Sequence, residues 1–347
     1  MKFADAFAAL VQHRAIDRPT MRAAFDAILR GEWNAVQTGA FAAALRALGA
    51  ESEDAIAAGA EAMRDAMTPV AHTRAIVLDT CGTGGDGAGT LNISTAAALV
   101  VAACGVAVAK HGNRSVSSLS GSADVIESLG IPLDLSPTQQ GELLGEIGIA
   151  FLFAPAHHPA LRHAAQARRD LGVRTIFNAL GPLANPARAT HQLVGVYDDA
   201  LRPVMARALG RLGVKRAWVI RAEDGLDEVS TEAPTRVSEL RADGSVTERI
   251  LVSDEFGIAG NKGYSIKGGS SQENAKALED LLRSKKSAHP STSSVVLNAA
   301  AALVVAEAET DPRVAAERAR AAIESGNAWQ LLERWRSAAK KKRGEKI

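Results

Sequence analysis

The sequence predicts an α/β protein, with a small N-terminal helical domain and a larger domain built on a mostly parallel central sheet flanked by helices. Three observations support this fold class. The start of the chain is rich in alanine, with apolar residues at helical spacing. Beyond Pro69, short apolar runs alternate with helical patterns, as in the strand and helix units of α/β proteins. A glycine run at 82–89 lies between one apolar run and a helical pattern.

A chain of 347 residues is too long for a single simple core, so we expect two domains. The helical domain is predicted over 1–70, with a further helical contribution from 162–188. The α/β domain is predicted over 71–340, followed by a basic tail over 341–347. The charge run Lys340-Lys341-Lys342-Arg343 is either a solvated chain end or a contact for a nucleic acid or a partner, and the solvated end is favoured.

Turn and cap residues divide the alanine-rich region into successive helices. Thr20, Thr38 and Ser52 stand where helix N-caps are expected. Gly31 and Gly49 stand where helices are expected to end.

Short apolar runs predict the strands of the sheet, at 75–78, 106–109, 149–153, 193–196 and 217–220. The segment 236–267 contains alternating residues and the turn-like Ala242-Asp243-Gly244, which predicts a strand excursion at the sheet edge. Helical patterns lie at 93–103, 271–282 and 293–308, with a further helix from Pro312 and a last one ending near Trp335.

Charge and cysteine content exclude several classes of function. The 40 Lys and Arg residues balance 39 Asp and Glu residues, and a net charge of +1 provides no field to hold nucleic acid or an acidic membrane. The two cysteines, Cys81 and Cys104, form no disulfide framework, which fits a reducing, cytoplasmic location. No apolar run reaches the roughly 20 residues that cross a bilayer, and the N-terminus has no cleavage pattern. We therefore expect neither a secreted nor a membrane-spanning protein.

The segment Asp79-Thr80-Cys81-Gly82-Thr83-Gly84-Gly85-Asp86-Gly87 follows a predicted strand and precedes the helix that Asn92-Ile93-Ser94-Thr95 opens. Closely spaced glycines let successive backbone N–H groups point into one concavity, where a phosphate or pyrophosphate can lie at a helix N-terminus. The segment lacks the Lys of a Walker loop and the register of a dinucleotide fingerprint. An ordinary turn is the alternative. The Ser94 and Thr95 hydroxyls either cap the helix or meet a phosphate or a metal.

A second polar segment, Lys110-His111-Gly112-Asn113-Arg114-Ser115-Val116-Ser117-Ser118, follows the predicted strand at 106–109. Ligands of open α/β sheets bind beyond the carboxyl ends of the strands. Lys110 would provide a charge for a phosphate, and His111 and Asn113 would provide directed hydrogen bonds. Nine such residues in a row make a poor core, so we interpret this segment and the glycine loop as one anion site.

Two further features could complete such a site. The tight turn Gly121-Ser122-Ala123-Asp124 leads into a helix, where Ser122 could complete the cradle and Asp124 could serve only as a cap. Arg168 lies on a predicted helix, where its guanidinium could bind a carboxylate through two hydrogen bonds. A surface ion pair is the alternative for Arg168.

The acidic segment Glu223-Asp224-Gly225-Leu226-Asp227-Glu228 follows the predicted strand at 217–220. Adjacent carboxylates at a strand end, facing a phosphate cradle, provide the oxygen ligands with which Mg²⁺ bridges protein and pyrophosphate. The alternative is a solvated acidic turn. No Cys or His pairs have the spacing of zinc ligands, and His157-His158 are adjacent.

Together these motifs resemble the anthranilate phosphoribosyltransferase family, and they occur in that family's order. The matching segments are 81–87, 92–95, 110–118, 121–124, 174–186 and 226–228. The likeness covers nearly the whole chain and includes Gly268-Gly269, Asn274-Ala275 and Leu297-Asn298-Ala299-Ala300. The resemblance implies a helical domain hinged to an α/β domain, an active site in the cleft between them, and a homodimer.

The resemblance also implies transfer of the phosphoribosyl group of phosphoribosyl pyrophosphate (PRPP) to the amine of anthranilate, with two Mg²⁺ ions bound alongside PRPP. The residues implied to hold PRPP are Gly82, Gly85, Asp86, Thr90, Asn92, Ile93, Ser94, Thr95, Lys110, His111, Gly112, Asn113, Arg114, Ser115, Val116, Ser117, Ser118 and Ser122. Those implied to meet anthranilate are Gly82, Asn113 and Arg168, and those implied to bind Mg²⁺ are Ser94, Asp227 and Glu228. No nucleophile is implied, and Lys110, His111, Asn113 and Arg168 would act by charge and positioning.

The sequence departs from the family's pattern in one place. The family often has Pro-Val before the Arg equated with Arg168, whereas Gln166-Ala167 stand here and Arg169 is an adjacent alternative. The same oxygen ligands could bind Mn²⁺. A pyrimidine nucleoside phosphorylase is the nearest rival, but its glycine loop has no counterpart here. A nucleic-acid-binding paralogue is disfavoured by the near-neutral charge and by Asp227-Glu228.

Overall fold

The structure is a computed structural model that describes residues 1–12, 16–84, 89–115, 119–260, 266–284 and 289–345. Four helices begin the chain: α1 Phe3–Val11, α2 Arg18–Leu29, α3 Ala35–Ala47 and α4 Glu53–Ala66. As predicted, α2 and α3 each end just before a glycine of positive φ, Gly31 at 72° and Gly49 at 64°.

The caps of these helices agree only in part with the prediction. Ser52 caps α4 as expected, because its hydroxyl accepts a hydrogen bond from the Ala55 N–H. The predictions for Thr20 and Thr38 are wrong. Asp17 caps α2 and Asn34 caps α3, each one turn earlier, and carboxylate and amide oxygens are strong N-cap acceptors.

A seven-stranded sheet forms the centre of the larger domain. Its strands are β1 Leu78–Gly82, β2 Val108–Gly112, β3 Ile149–Phe153, β4 His191–Gly195, β5 Arg216–Ala222, β6 Thr235–Leu240 and β7 Val246–Leu251. Their order is β3-β2-β1-β4-β5-β6-β7. The first five are parallel, and β6 and β7 add an antiparallel hairpin at the predicted edge excursion. The predicted fold class is confirmed.

Strands β1 and β2 lie later in the chain than their apolar runs predict. The runs are at 75–78 and 106–109, but β1 extends to Gly82 and β2 to Gly112. Lys110 and His111 therefore lie inside β2, paired with β3, and both are buried. The prediction that the whole polar segment lies in a loop outside the core is wrong for these two residues, because strand pairing extends the sheet past the apolar run.

The remaining helices pack against this sheet or against the N-terminal helices. They are α5 Ile93–Ala103, α6 Ser122–Ser128, α7 Pro137–Glu146, α8 Ala154–His157, α9 Arg162–Leu171, α10 Ile176–Leu183, α11 Leu201–Arg211, α12 Ser271–Arg283, α13 Thr292–Val305, α14 Pro312–Glu324 and α15 Asn327–Arg343. No helix in the described ranges has both the length and the apolar character required to span a bilayer.

The final helix corrects two expectations for the C-terminal end. It continues well beyond the predicted end near Trp335, through Arg343, so the start of the basic tail is helical. Lys342 Nζ lies 2.8 Å from a carboxylate oxygen of Glu142 and 3.0 Å from one of Glu146, both on α7. A frayed end is therefore wrong for this part, because it is helical and Lys342 packs against acidic side chains; Lys340, Lys341 and Arg343 are exposed, as predicted for a solvated end.

Two apolar cores lie on opposite faces of the sheet. Along β4 and β5, Leu193 and Trp218 face the core formed with α5 and α12–α15. Their neighbours Val194 and Val219 face the second core, which includes the N-terminal helices, α10 and α11. Alternate residues of a strand point to opposite faces, so these strands join the two parts of the molecule.

Candidate active site

The site lies where the direction of strand addition changes in the sheet. Strands β2 and β3 follow β1 on one side, whereas β4 lies on the other side of β1. Ligands of open α/β sheets bind in the crevice outside the carboxyl ends of the strands at such a switch point. Gly82 ends β1 and Gly195 ends β4, and the two are paired in register.

The acidic loop, residues 223–228 after β5, crosses this edge at very close range. A Cβ atom added to Gly195 would overlap the carbonyl oxygen of Asp227, and one added to Gly82 would lie 2.9 Å from Asp227 Oδ2. Two glycines thus allow the Asp227 backbone and carboxylate to lie against the start of the glycine loop. The structure brings Gly82 and Asp227 together, as expected for one site.

The first turn of α5 contacts the second acidic residue. Glu228 Oε1 accepts a hydrogen bond from the Ser94 N–H at 3.0 Å. The Ile93 N–H is bonded to the Leu91 carbonyl oxygen at 2.6 Å, and Ile93 itself is buried. A ligand phosphate at this helix N-terminus would therefore compete with Glu228 for the Ser94 N–H.

Lys110 reaches the same point from β2. Its Nζ lies 3.3 Å from Ser94 Oγ and donates a hydrogen bond to the Thr80 carbonyl oxygen. Burial lowers the pKa of Lys110, and the negative charges of Asp79, Asp227 and Glu228 oppose this shift. Ser94 is therefore flanked by a buried cation on one side and a carboxylate on the other.

Asp79 is a buried carboxylate that the sequence reasoning did not single out for a role. Its Oδ1 accepts a hydrogen bond from the His111 N–H at 3.1 Å, and its Oδ2 accepts one from Asn185 Nδ2 at 2.8 Å. Burial raises the pKa of Asp79 to about 6, although the positive charge of Lys110 opposes the shift. An acidic residue directly after an apolar strand run was the available signal.

His111 has a buried ring, and burial favours its neutral form. Burial lowers its pKa well below the usual value, and the neighbouring His158 and His157 add to that effect. The rings of His111 and His158 lie 5.1 Å apart between centroids. The Nε2 atoms of both rings are buried, without a hydrogen-bond partner in the described part of the chain.

The turn after β2 is held by Asp124. Its carboxylate accepts hydrogen bonds from the Ser115 N–H at 3.1 Å and the Gly121 N–H at 2.9 Å, and it forms an ion pair with Arg114. Asp124 therefore shapes the turn in addition to starting α6. The adjoining Gly112 accommodates Ser122, because an added Cβ would overlap Ser122 Oγ.

Thr90 and Asn92 contact α12 and the chain just before it. Thr90 forms a β-bridge with Lys267, and Asn92 Oδ1 accepts a hydrogen bond from Asn274 Nδ2 at 3.0 Å. Thr95 is buried, and its hydroxyl has no partner in the described ranges. The predicted residues Gly85, Asp86, Val116, Ser117 and Ser118 lie outside the described residues.

Arg168 lies in the last turn of α9. It is partly buried, burial lowers its pKa, and its side chain forms no hydrogen bond or ion pair with the residues that the structure describes. The adjacent Arg169 is exposed and donates a hydrogen bond to Gln166 Oε1. The partly buried Arg168 is thus a better candidate than Arg169 for binding an anion. No hydrogen bond joins Arg168 to Asn113, the other side chain expected to meet anthranilate.

Oxygen atoms dominate the donor set for a metal. Within the described ranges, no group of three His, Cys, Asp or Glu side chains could hold a metal ion by itself. Two carboxylates and the Ser94 hydroxyl fit a hard cation that takes its remaining ligands from a bound phosphate.

Two family models match the chain: a glycosyl transferase family helical bundle domain over residues 4–67 and a glycosyl transferase family a/b domain over residues 74–329. Anthranilate phosphoribosyltransferase of Symbiobacterium thermophilum is 48% identical over 323 residues, which cover 93% of this chain and 94% of that protein. The Myxococcus xanthus protein of that name is 47% identical over 332 residues, covering 96% and 97%.

Solved structures agree with these sequence relatives. Anthranilate phosphoribosyltransferase from Thermus thermophilus matches with a TM-score of 0.90 at 39% identity, covering 97% of this chain and 99% of that chain. The Saccharomyces cerevisiae protein of that name, in complex with PRPP and Mg, matches with a TM-score of 0.88 at 26% identity, covering 98% of each chain.

Proposed function

This chain belongs to the anthranilate phosphoribosyltransferase family, and from that membership we propose that it transfers the phosphoribosyl group of PRPP to the amine of anthranilate. The products are N-(5-phosphoribosyl)anthranilate and pyrophosphate. The reaction is an early step of tryptophan biosynthesis. One observation supports the location of this chemistry. The hydrogen bond from the Ser94 N–H to Glu228 joins the acidic loop to α5 at the switch point of the sheet, beside the buried Lys110.

PRPP is assigned to this edge of the sheet. The residues proposed to hold it are Gly82, Gly85, Asp86, Thr90, Asn92–Thr95, Lys110–Ser118 and Ser122. Lys110 would place its charge against a phosphate, and the Ser94 N–H would become available when Glu228 turns to a cation. Burial of Lys110 strengthens such an interaction, because little water screens it.

Anthranilate is assigned to Gly82, Asn113 and Arg168. Arg168 is a partly buried cation without an acidic partner in the described ranges, and a guanidinium matches the geometry of the substrate carboxylate. The neutral His111 adds no competing positive charge to the site.

Mg²⁺ is assigned to Ser94, Asp227 and Glu228, with two ions bound alongside PRPP; Mn²⁺ would fit the same oxygen donors. When bound, the metal neutralises charge on the departing pyrophosphate. The chain's own residues bind and align the two substrates, so that the amine faces the anomeric carbon. No side chain acts as a nucleophile, because the aryl amine already has a lone pair. A homodimer and a cytoplasmic location complete the proposal.

The test follows the fluorescence of anthranilate with purified protein, PRPP and Mg²⁺, and an EDTA control. Consumption should require all three components. The double variant Asp227→Asn with Glu228→Gln should lose turnover by orders of magnitude, because it removes both carboxylate charges. Glu223→Gln is the matched control, since Glu223 is exposed and forms an ion pair with Arg236. Turnover like that of the unmodified protein in the double variant would contradict the metal assignment.

A further inference from the structure

Asn298 is a fully buried polar residue in the apolar middle of α13. Its Oδ1 accepts a hydrogen bond from the Val229 N–H at 2.8 Å, and its Nδ2 donates to the Val229 carbonyl oxygen at 2.9 Å. The same Nδ2 donates to the Ser294 carbonyl oxygen, also at 2.9 Å. One side-chain amide therefore holds both backbone groups of the residue that directly follows Glu228.

We propose that Asn298 is a positioning residue for metal-dependent PRPP binding: it fixes the acidic loop so that Asp227 and Glu228 lie beside Ser94. The proposal rests on the metal role given to these residues under the proposed function. Asn298 acts through Val229 and is assigned no contact with either substrate.

No helix or strand lies between the end of β5 and the start of β6, so the acidic loop depends on individual hydrogen bonds to fix its position. On the β5 side, the turn is closed by a hydrogen bond from the Ala222 N–H to the Leu226 carbonyl oxygen at 3.0 Å. Beneath the loop, a cavity of about 50 Å³ is lined in part by Ile93, Leu226, Val229 and Ser294. Packing there is incomplete. A bond from Ser230 Oγ to Asp224 Oδ2 fixes the start of the loop, and the directional bonds to Val229 fix the end that carries Asp227 and Glu228.

Helix α13 connects both halves of the proposed metal site. It packs along α5, whose first turn carries Ser94, and its own Asn298 holds the acidic loop. Close-packed helices resist independent displacement. The bond from the Ser94 N–H to Glu228 Oε1 forms where the first turn of α5 meets the acidic loop.

Two substitutions separate the directional bonds from side-chain size. Asn298→Leu keeps a side chain of similar size but removes both the acceptor for the Val229 N–H and the donor to Val229 and Ser294. Asn298→Ala leaves both Val229 backbone groups unpaired in a buried setting. Loss of an outer partner of a metal ligand typically reduces metal affinity by about 10–100-fold. The effect of Mg²⁺ is the ratio of the PRPP affinity with Mg²⁺ to that with EDTA. We therefore expect this ratio to fall by at least about 10-fold in both variants.

The experiment is calorimetric titration of PRPP into the full-length protein, once with saturating Mg²⁺ and once with EDTA. Thermal unfolding of each variant is measured in parallel. Gln140→Ala is the matched control, because Gln140 is also a buried amide but donates to the Phe151 carbonyl oxygen at 3.5 Å, away from the acidic loop. Gln140→Ala should lose stability and keep the full effect of Mg²⁺. A folded Asn298→Leu protein with the full effect of Mg²⁺ overturns the proposal, and so does an equal loss of that effect in Gln140→Ala.

Asp227→Asn distinguishes failure of this proposal from failure of the proposed function. If neither the unmodified protein nor Asp227→Asn gains PRPP affinity from Mg²⁺, the metal assignment fails and the role of Asn298 fails with it. If Asp227→Asn loses the gain while both Asn298 variants keep it, the metal assignment stands and only the role of Asn298 is rejected.

Discussion

Gly195 determines how closely the acidic loop approaches the end of β4. Its neighbour in that approach is the Asp227 carbonyl oxygen, which occupies the space where a Cβ atom would lie. Any side chain at this position must therefore displace the loop from the sheet edge. The requirement is steric and does not depend on a positive φ angle.

Gly195→Ala is expected to lower turnover by about 100-fold, because a displacement of about 1 Å in a positioning group has that cost. Gly145→Ala on α7 is the control, since an added Cβ there meets nothing within 4 Å. The anthranilate fluorescence assay on both variants gives the comparison. Unchanged turnover in Gly195→Ala would mean that the loop reaches its position without this close approach.

Buried histidines make stability depend on pH. Burial lowers the pKa of His158 from 6.5 to about 4, with His157 adding to the shift, and it lowers the pKa of His111 as well. Between these values the unfolded chain binds a proton that folded His158 does not. The contribution of His158 to the free energy of unfolding is therefore complete above about pH 6.5 and is lost as the pH falls toward 4.

His158→Gln should flatten the dependence of the unfolding free energy on pH between about 6.5 and 4. The difference between the pKa of His158 in the unfolded and folded states corresponds to about 3 kcal/mol of unfolding free energy. His111 and His157 retain their own contributions in this variant. Urea unfolding at several pH values measures the slope directly. An unchanged slope in His158→Gln would show that folding does not lower the pKa of His158.

At the scale of elements, the start of α3 has a reciprocal capping box. Asn34 Oδ1 accepts a hydrogen bond from the Gln37 N–H at 2.9 Å, and Gln37 Oε1 accepts one from the Asn34 N–H at 3.1 Å. These bonds satisfy two backbone donors that a helix N-terminus otherwise leaves free. Thr38, the cap predicted from sequence, lies a turn inside the helix and is buried.

Asn34→Ala is expected to reduce the free energy of unfolding by about 1 kcal/mol, because it removes the cap acceptor. Asn34→Asp keeps an acceptor and should remain close to the unmodified protein. Urea denaturation of both variants provides the measurement. Equal stability of Asn34→Ala and Asn34→Asp would show that the cap contributes nothing at this helix.

At the scale of the whole molecule, the N-terminal helices bury only part of their apolar faces among themselves. Phe25 packs edge-on against Phe177 of α10, with ring centroids 6.1 Å apart. Leu180 of the same helix fills the space over Gly59 on α4. Their core also includes Val194 and Val219 of the sheet. The helical domain is therefore completed by distant parts of the chain.

An excised fragment of residues 1–67 is accordingly expected to lack a stable fold. It would expose the surface that Phe177 and Leu180 cover, and a fragment of this size has little core to spare. Circular dichroism and the thermal transition of the fragment test this expectation against the full chain. A cooperative transition in the isolated fragment would show that the four helices stabilise themselves.

The sequence by itself determined the fold class, the succession of a helical and an α/β part, and the segments that make up the candidate site. Each depends on local information. Apolar periodicity identified the strands and helices, and the glycine loop and the Asp227-Glu228 pair each form a short continuous segment. The structure and chemistry of such segments can be predicted from their own residues, without knowledge of the segments that lie beside them in the fold.

Only the tertiary structure decided where strands end and what holds the site in place. Pairing with β3 brings Lys110 into the sheet, and the switch between β1 and β4 defines the crevice. Asn298 is 69 residues from Val229 in the chain, yet its amide bonds that backbone. Sequence patterns report on neighbours a few residues apart, whereas these contacts join segments that meet only when the sheet and its helices pack.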